Sequence, residues 1–159
     1  MRTPRALAIA VLALGGALTG CAGGGGGGGG GGAPKPACKP PAVATVSFAH
    51  TIQPIFDRSC ALAGCHVGPV PAQGQDLTAG ASYSQSVNVP STERPRLKRV
   101  VPGDPANSYV VRKIRGGPNI SGVLMPQGCP GVPLNGAQCL TPDEVIAIVQ
   151  WIKECAQNN

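Results

Sequence analysis

The sequence predicts an all-α domain with long irregular connections. Three observations carry this. The segment "LTPDEVIAIVQWIKECA" near the C-terminus reads as a capped amphipathic helix. A second segment, "SFAHTIQPIFDRSC", places Phe48, Ile52, Ile55 and Phe56 at the spacing of one helical face. No stretch alternates apolar and polar residues for the length of a strand, and the 24 glycines and 17 prolines leave long segments between helices as loops.

The chain divides into three parts. Residues 1–20 start with the basic Met1–Arg5 and continue into the apolar run Ala6–Leu18. That run has signal-peptide length and is too short for a comfortable membrane span. It ends in "LTGC", which resembles the lipobox of bacterial lipoproteins. The resemblance implies cleavage before Cys21, a lipid on Cys21, and a place in the cell envelope, facing the periplasm or on the cell surface. An ordinary secretory leader with a chance cysteine is the alternative. On either reading the chain works outside the cytoplasm, where disulfides persist. Residues 21–41 hold ten consecutive glycines, Gly23 to Gly32, and then a proline-rich stretch. Polyglycine has nothing to bury and stays a coil, so the segment reads as a tether with a reach of roughly 25 Å. Residues 42–159 form one domain.

Within the domain the first helix runs into Cys60. Pro54 either starts it or kinks it. "TAGASYSQSV" is a weak short helix. In "PGDPANSYVVRKIRGG", Asp104 caps, Pro105 takes the first turn, Tyr109, Val110 and Ile114 share one side, and Gly116 stops the helix. "PNISGVLMPQGCPGVPLNGAQC" is irregular. In the last helix Thr141 caps, Pro142 occupies the first turn and Glu144 completes a capping box. Leu140 and Val145 form a staple, and Val145, Ile148, Val149 and Ile152 form the apolar stripe, with Trp151 and Cys155 beside it.

Only Phe48, Phe56, Tyr83, Tyr109 and Trp151 are aromatic apart from the two histidines, so the core is modest. A bulky apolar cofactor would supply what is missing, and so would disulfides. The formal net charge is +6, with Arg2 and Arg5 in the expected leader. Arg94, Arg96, Lys98, Arg99, Arg112, Lys113 and Arg115 lie close together in sequence. They read as a solvated face, or as a docking patch for an acidic partner or buried anionic groups. The compartment argues against nucleic acid.

The chemistry centres on "CALAGCH". Cys60 and Cys65 are separated by four residues, and His66 comes directly after. The usual signature for covalent haem attachment has two residues between the cysteines. In that chemistry both sulfurs bond one porphyrin edge and the histidine sits under the iron. Four intervening residues fit if the extra ones bulge outward, and Ala61, Ala63 and Gly64 are small. A metal site and a plain Cys60–Cys65 disulfide are the other readings of these residues. Met125, in "LMPQG", is the one methionine beyond the leader. Thioether ligation opposite histidine raises the reduction potential of a haem, while a lone methionine is also ordinary core filling.

The stretch from Ser47 to Ala156 resembles the monohaem c-type cytochrome domains of bacterial exported proteins. The carriers are "IQPIF", "CALAGCH", "RVVPGDPANSYVVRKI", "LMP" and "LTPDEVIAIVQWI". The longer cysteine spacing departs from most of that family and resembles some sites in the multihaem cytochromes of sulfate reducers. The resemblance implies a cytochrome c-like helical domain around one covalent haem c. Cys60 and Cys65 would be the thioether links, His66 the proximal iron ligand and Met125 the distal one. It also implies contact between the first and last helices, near Trp151. His50, the rival distal ligand, falls off the apolar stripe and reads as exposed. With Cys21, Cys60 and Cys65 assigned, Cys38, Cys129, Cys139 and Cys155 remain. They allow three pairings. Cys129–Cys139 is favoured because it closes a short loop after Met125, which leaves Cys38–Cys155. Arg99 and Lys113 are candidates for propionate contact or docking.

The expected function is a lipid-anchored electron carrier serving redox partner proteins, acidic ones if the basic cluster docks them, and not an enzyme. One alternative is a haem enzyme or a gas or peroxide sensor with a displaceable methionine. The other is a haem-free, disulfide-stabilised structural lipoprotein. Blue copper and zinc lack the required ligand sets.

Overall fold

The computed structural model describes residues 37–117 and 119–159. The chain divides into two units, Met1–Lys35 and Pro36–Asn159. The expected leader, Cys21 and the tether as far as residue 36 lie outside the described residues, all of which belong to the second unit.

The first helix resolves the proline question by changing its winding. Phe48–Ile52 is a wide π turn, and α1, Gln53–Ser59, continues from it at normal pitch with Pro54 in its first turn. The N–H of Ile52 reaches back five residues to the Ser47 carbonyl at 3.3 Å. The proline therefore sits where no N–H is needed. Upstream, the free N–H groups of a helix start need partners. The Ser47 hydroxyl accepts from the His50 N–H, and Asn159 accepts from the Phe48 and Ala49 N–H groups.

Helix α2, Ser82–Ser86, is a single short helix. The segment after Asp104 is a 3₁₀ turn, Pro105–Asn107, and then α3, Tyr109–Arg115. Asp104 accepts from the Asn107 N–H at 3.3 Å, as a cap should. Ser108 then breaks the helix, because its hydroxyl accepts from the Val101 N–H at 2.8 Å and donates to the Asp104 carbonyl at 2.8 Å. Gly116 ends α3 in the left-handed conformation. Helix α4, Pro142–Lys153, has the full capping box between Thr141 and Glu144.

The core lies where the first helix crosses α4. Ile52, Trp151 and Ile152 are fully buried, and Phe48, Phe56, Val100, Ile148 and Val149 join them. The Phe48 ring lies 5.2 Å from Trp151 and 5.3 Å from Tyr83, the latter edge-on. Arg58 of α1 pairs with Glu144 of α4. Disulfides join Cys38 to Cys155 and Cys129 to Cys139, each with Cα atoms 5.6 Å apart.

These observations correct the all-α, cytochrome c-like expectation. Helical turns of every kind make up 37% of the described residues, and no strand occurs among them. Only isolated bridges form, such as Val87 with Val100 and Pro90 with Lys98. The domain is a mostly irregular chain, stapled by two disulfides, in which short helices supply the rigid corner. The physical reason is the glycine and proline content. The segments between helices outweigh the helices, and side chains, turns and cross-links hold them. No helix among the described residues is long and apolar enough to cross a membrane.

Candidate functional site

The turn after α1 carries the first three candidate residues. The Cys60 N–H still bonds the Phe56 carbonyl at 2.8 Å, so the first cysteine hangs from the end of the helix. Leu62 to Cys65 is a tight turn closed by the Cys65 N–H on the Leu62 carbonyl at 2.8 Å. Gly64 occupies its third position at φ +79°, which favours glycine. A β-carbon there would also lie 3.0 Å from the Asn135 amide. The His66 N–H returns to the Cys60 carbonyl at 3.1 Å. The two extra residues are thus taken up by a compact turn that leaves Cys60, Cys65 and His66 on one wall.

That wall borders a cavity of about 370 Å³, within the range of cofactor sites. Cys60, Cys65, His66 and Met125 all line it, from segments far apart in sequence. Phe56, Leu77, Val110, Ile114, Leu140 and Ile148 supply apolar surface. Tyr109, Val110 and Ile114, which share one side of α3 in the sequence pattern, all line this cavity; Tyr109 is buried, and Val110 and Ile114 are half-buried. The sequence pattern missed Val111, which is buried instead.

Neither Cys60 nor Cys65 is in a disulfide, whereas Cys38, Cys129, Cys139 and Cys155 all are. Burial pushes the Cys60 thiol up to about 12, with the Cys65 thiol adding to this and Arg58 opposing it. It is therefore a neutral thiol at neutral pH, poorly suited to bind a metal as thiolate. His66 Nδ1 lies 3.1 Å from the Gln75 carbonyl. A carbonyl only accepts, so Nδ1 carries the proton and Nε2 keeps its lone pair. Burial holds the imidazole below its ordinary value; Arg99 adds to this, and hydrogen bonds to Gln75 and Ala72 oppose it. The ring is a neutral, oriented nitrogen donor of the kind that binds metals.

Met125 reaches the cavity from the irregular segment after α3. Its N–H bonds the Lys113 carbonyl at 2.8 Å, which ties the irregular segment to α3. The Cys129–Cys139 disulfide comes next, and beside it Gly128 must lack a β-carbon, which would fall 2.1 Å from the Val132 carbonyl oxygen. Met125 also lines a smaller apolar recess of about 240 Å³, together with Cys129, Cys139, Leu140 and Val145. His50 is exposed.

The basic cluster separates into two groups. Arg94, Arg96, Lys98 and Arg115 are exposed and Arg112 is half-buried, while Arg99 and Lys113 turn inward and line the cavity. Lys113 pairs with Glu93 at 3.1 Å. The Tyr109 hydroxyl donates to Glu93 at 2.7 Å and accepts from the Ser121 N–H at 2.9 Å. Glu93 and Tyr109 line the cavity too, and sequence reasoning missed both. No local signal marks them, because residues 93, 109 and 113 meet only through the fold. Asn135, which donates to the Cys65 sulfur at 3.4 Å, was missed for the same reason.

The donor set fits a covalently held iron porphyrin: two thiols outside any disulfide, one oriented imidazole, one thioether and an apolar enclosure. It does not form a side-chain cage for a bare ion. No group of three or more His, Cys, Asp or Glu suited to that occurs among the described residues. The Ser59 hydroxyl on the same wall is buried with no hydrogen-bond partner. No protein-family model, curated protein or solved structure matches the chain.

Proposed function

We propose that the domain holds one covalently attached haem and carries single electrons in the cell envelope, anchored by a lipid on Cys21. The observation that supports this best is the convergence of Cys60, Cys65, His66 and Met125 on one apolar cavity. In an exported chain that pairs four other cysteines, two unpaired thiols beside an oriented histidine call for a partner outside the chain. When bound, the haem supplies a one-electron ferric–ferrous couple. The residues do the rest. Cys60 and Cys65 would hold the porphyrin edge, and His66, whose Nδ1 bonds the Gln75 carbonyl, would offer Nε2 to the iron. Met125 offers its sulfur from a segment tied to α3. Phe56, Leu77 and Ile148 would keep water away, which together with the thioether would raise the potential. The exposed arginines and lysines offer a docking face for an acidic redox partner.

Three observations favour other readings. Glu93, Tyr109 and Lys113 place acid–base groups in the cavity, and Met125 has an apolar recess beside it. Both suit a haem enzyme or a gas or peroxide sensor with a displaceable methionine. The two disulfides, in turn, suit a haem-free structural lipoprotein.

Spectra of the chain expressed with haem-attachment machinery separate these. A methionine–iron charge-transfer band in the oxidised protein, lost in Met125→Ala, supports the carrier. Attached haem without that band supports the sensor or enzyme, and folded protein without haem supports the structural role.

A further inference from the structure

We infer that Arg99 is a dedicated anchor for one carboxylate of the group held in the cavity, and that Lys113 is not. This rests on the porphyrin reading, in which the carboxylate is a propionate.

The two residues look alike in sequence and in burial, at 6% and 7% exposed. Their partners differ. Lys113 is neutralised by Glu93 and donates its remaining bond to the Ser121 carbonyl at 2.7 Å. Arg99 donates only to backbone carbonyls: Gln85 at 2.7 Å, Gln73 at 2.9 Å and Gly74 at 3.4 Å. No carboxylate pairs with it among the described residues. Neutral acceptors satisfy some of its N–H groups and leave its charge uncompensated, which is costly for a buried ion. Of the ionised groups on the cavity wall, Arg99 and Lys113 are positive and Glu93 is negative. One further anion balances them.

The surroundings of Arg99 are built to aim it. Gln73 sits at φ 55°, in the left-handed region that a non-glycine residue seldom adopts. That turn points the Gln73 and Gly74 carbonyls at the guanidinium, and the Thr92 hydroxyl also donates to the Gln73 carbonyl, at 3.1 Å. The next residue, Gln75, orients His66. One turn thus sets both the cation and the imidazole, so the anchor and the iron ligand keep a fixed relation. A planar guanidinium suits a carboxylate better than an ammonium does.

The test changes the charge on both sides. The full chain, with both disulfides formed, is titrated with mesohaem and with mesohaem dimethyl ester. The wild type should prefer the free acid by about tenfold or more. Arg99→Gln should lose most of that preference, Arg99→Lys should keep part of it, and Lys113→Gln should keep it in full. Equal binding of acid and ester by the wild type overturns the anchor while leaving the porphyrin reading intact. So does an unchanged preference in Arg99→Gln, or a loss in Lys113→Gln alone. The acid–ester comparison on the wild type needs no variant to fold. If neither form binds, the porphyrin reading falls and this inference with it.

Discussion

The corner around Trp151 and the cavity wall around Cys60 share helix α4 and differ in completeness. At the corner the polar groups of the two large rings have partners within the chain. The indole N–H donates to the Gln157 carbonyl at 2.9 Å, and the Tyr83 hydroxyl donates to the Ala156 carbonyl at 2.9 Å. Ile52, Trp151 and Ile152 are fully covered by neighbours. On the wall, Val110, Ile114 and Leu140 are only partly covered, and among the described residues Cys60 and Cys65 are unpaired, the Ser59 hydroxyl has no partner and Arg99 has no counter-charge. The corner is finished by the sequence itself. The wall is left with unpaired groups around a cavity, which the proposed haem would complete.

The largest effect is expected at the corner. Trp151→Ala should lower unfolding stability by about 3–5 kcal/mol, measured by denaturant titration. The loss should be similar with and without haem. A loss below about 1 kcal/mol would mean the corner is not the centre of the fold. Next in size is the cross-link behind Met125. Cys129→Ser with Cys139→Ser should cost about 2–3 kcal/mol through loop-closure entropy. In loaded protein it should also raise the fraction of haem without methionine ligation, and an unchanged spectrum would remove that role. A smaller effect should depend on loading. Ile114→Ala should cost less than about 1 kcal/mol in the empty chain, where the side chain faces a void, and about 2 kcal/mol once haem packs on it. Equal costs would contradict an incomplete wall.

The smallest effect concerns pH at the corner. Burial alone would raise the Glu154 carboxyl, but hydrogen bonds from Thr45, Gln150 and Val46 outweigh this and hold it below its ordinary value. A carboxyl depressed in the folded state adds stability above its unfolded value, near 4.5. That stability is lost as pH falls through the folded value. Glu154→Gln should flatten the acid limb of the stability–pH curve in this window; an unchanged limb would show that Glu154 does not set it.

Much of the corner was legible because its signals are local. Thr141, Pro142 and Glu144 specify the start of α4 within four positions, and the Phe48–Ile52–Phe56 spacing specifies the opposing face. The break at Ser108 was not legible, because its hydroxyl bonds back to Val101 across a turn. The all-α expectation failed because the glycine- and proline-rich segments, read as connections, turn out to be the greater part of the domain. Four residues that converge on the cavity were legible at "CALAGCH" and Met125. The division of labour between Arg99 and Lys113 was not. It depends on carbonyls at 73 and 85 and a carboxylate at 93, which only the folded chain brings together.

The most direct measurement is the mass of the proteolytic peptide containing Ser59–Gly68, from chain expressed with haem-attachment machinery. This peptide should carry one haem, bound through both Cys60 and Cys65 and lost when both are changed to serine. The same peptide recovered without haem, with its two thiols free or joined to each other, from folded protein that retains the Cys38–Cys155 and Cys129–Cys139 bonds, would contradict a covalent haem site.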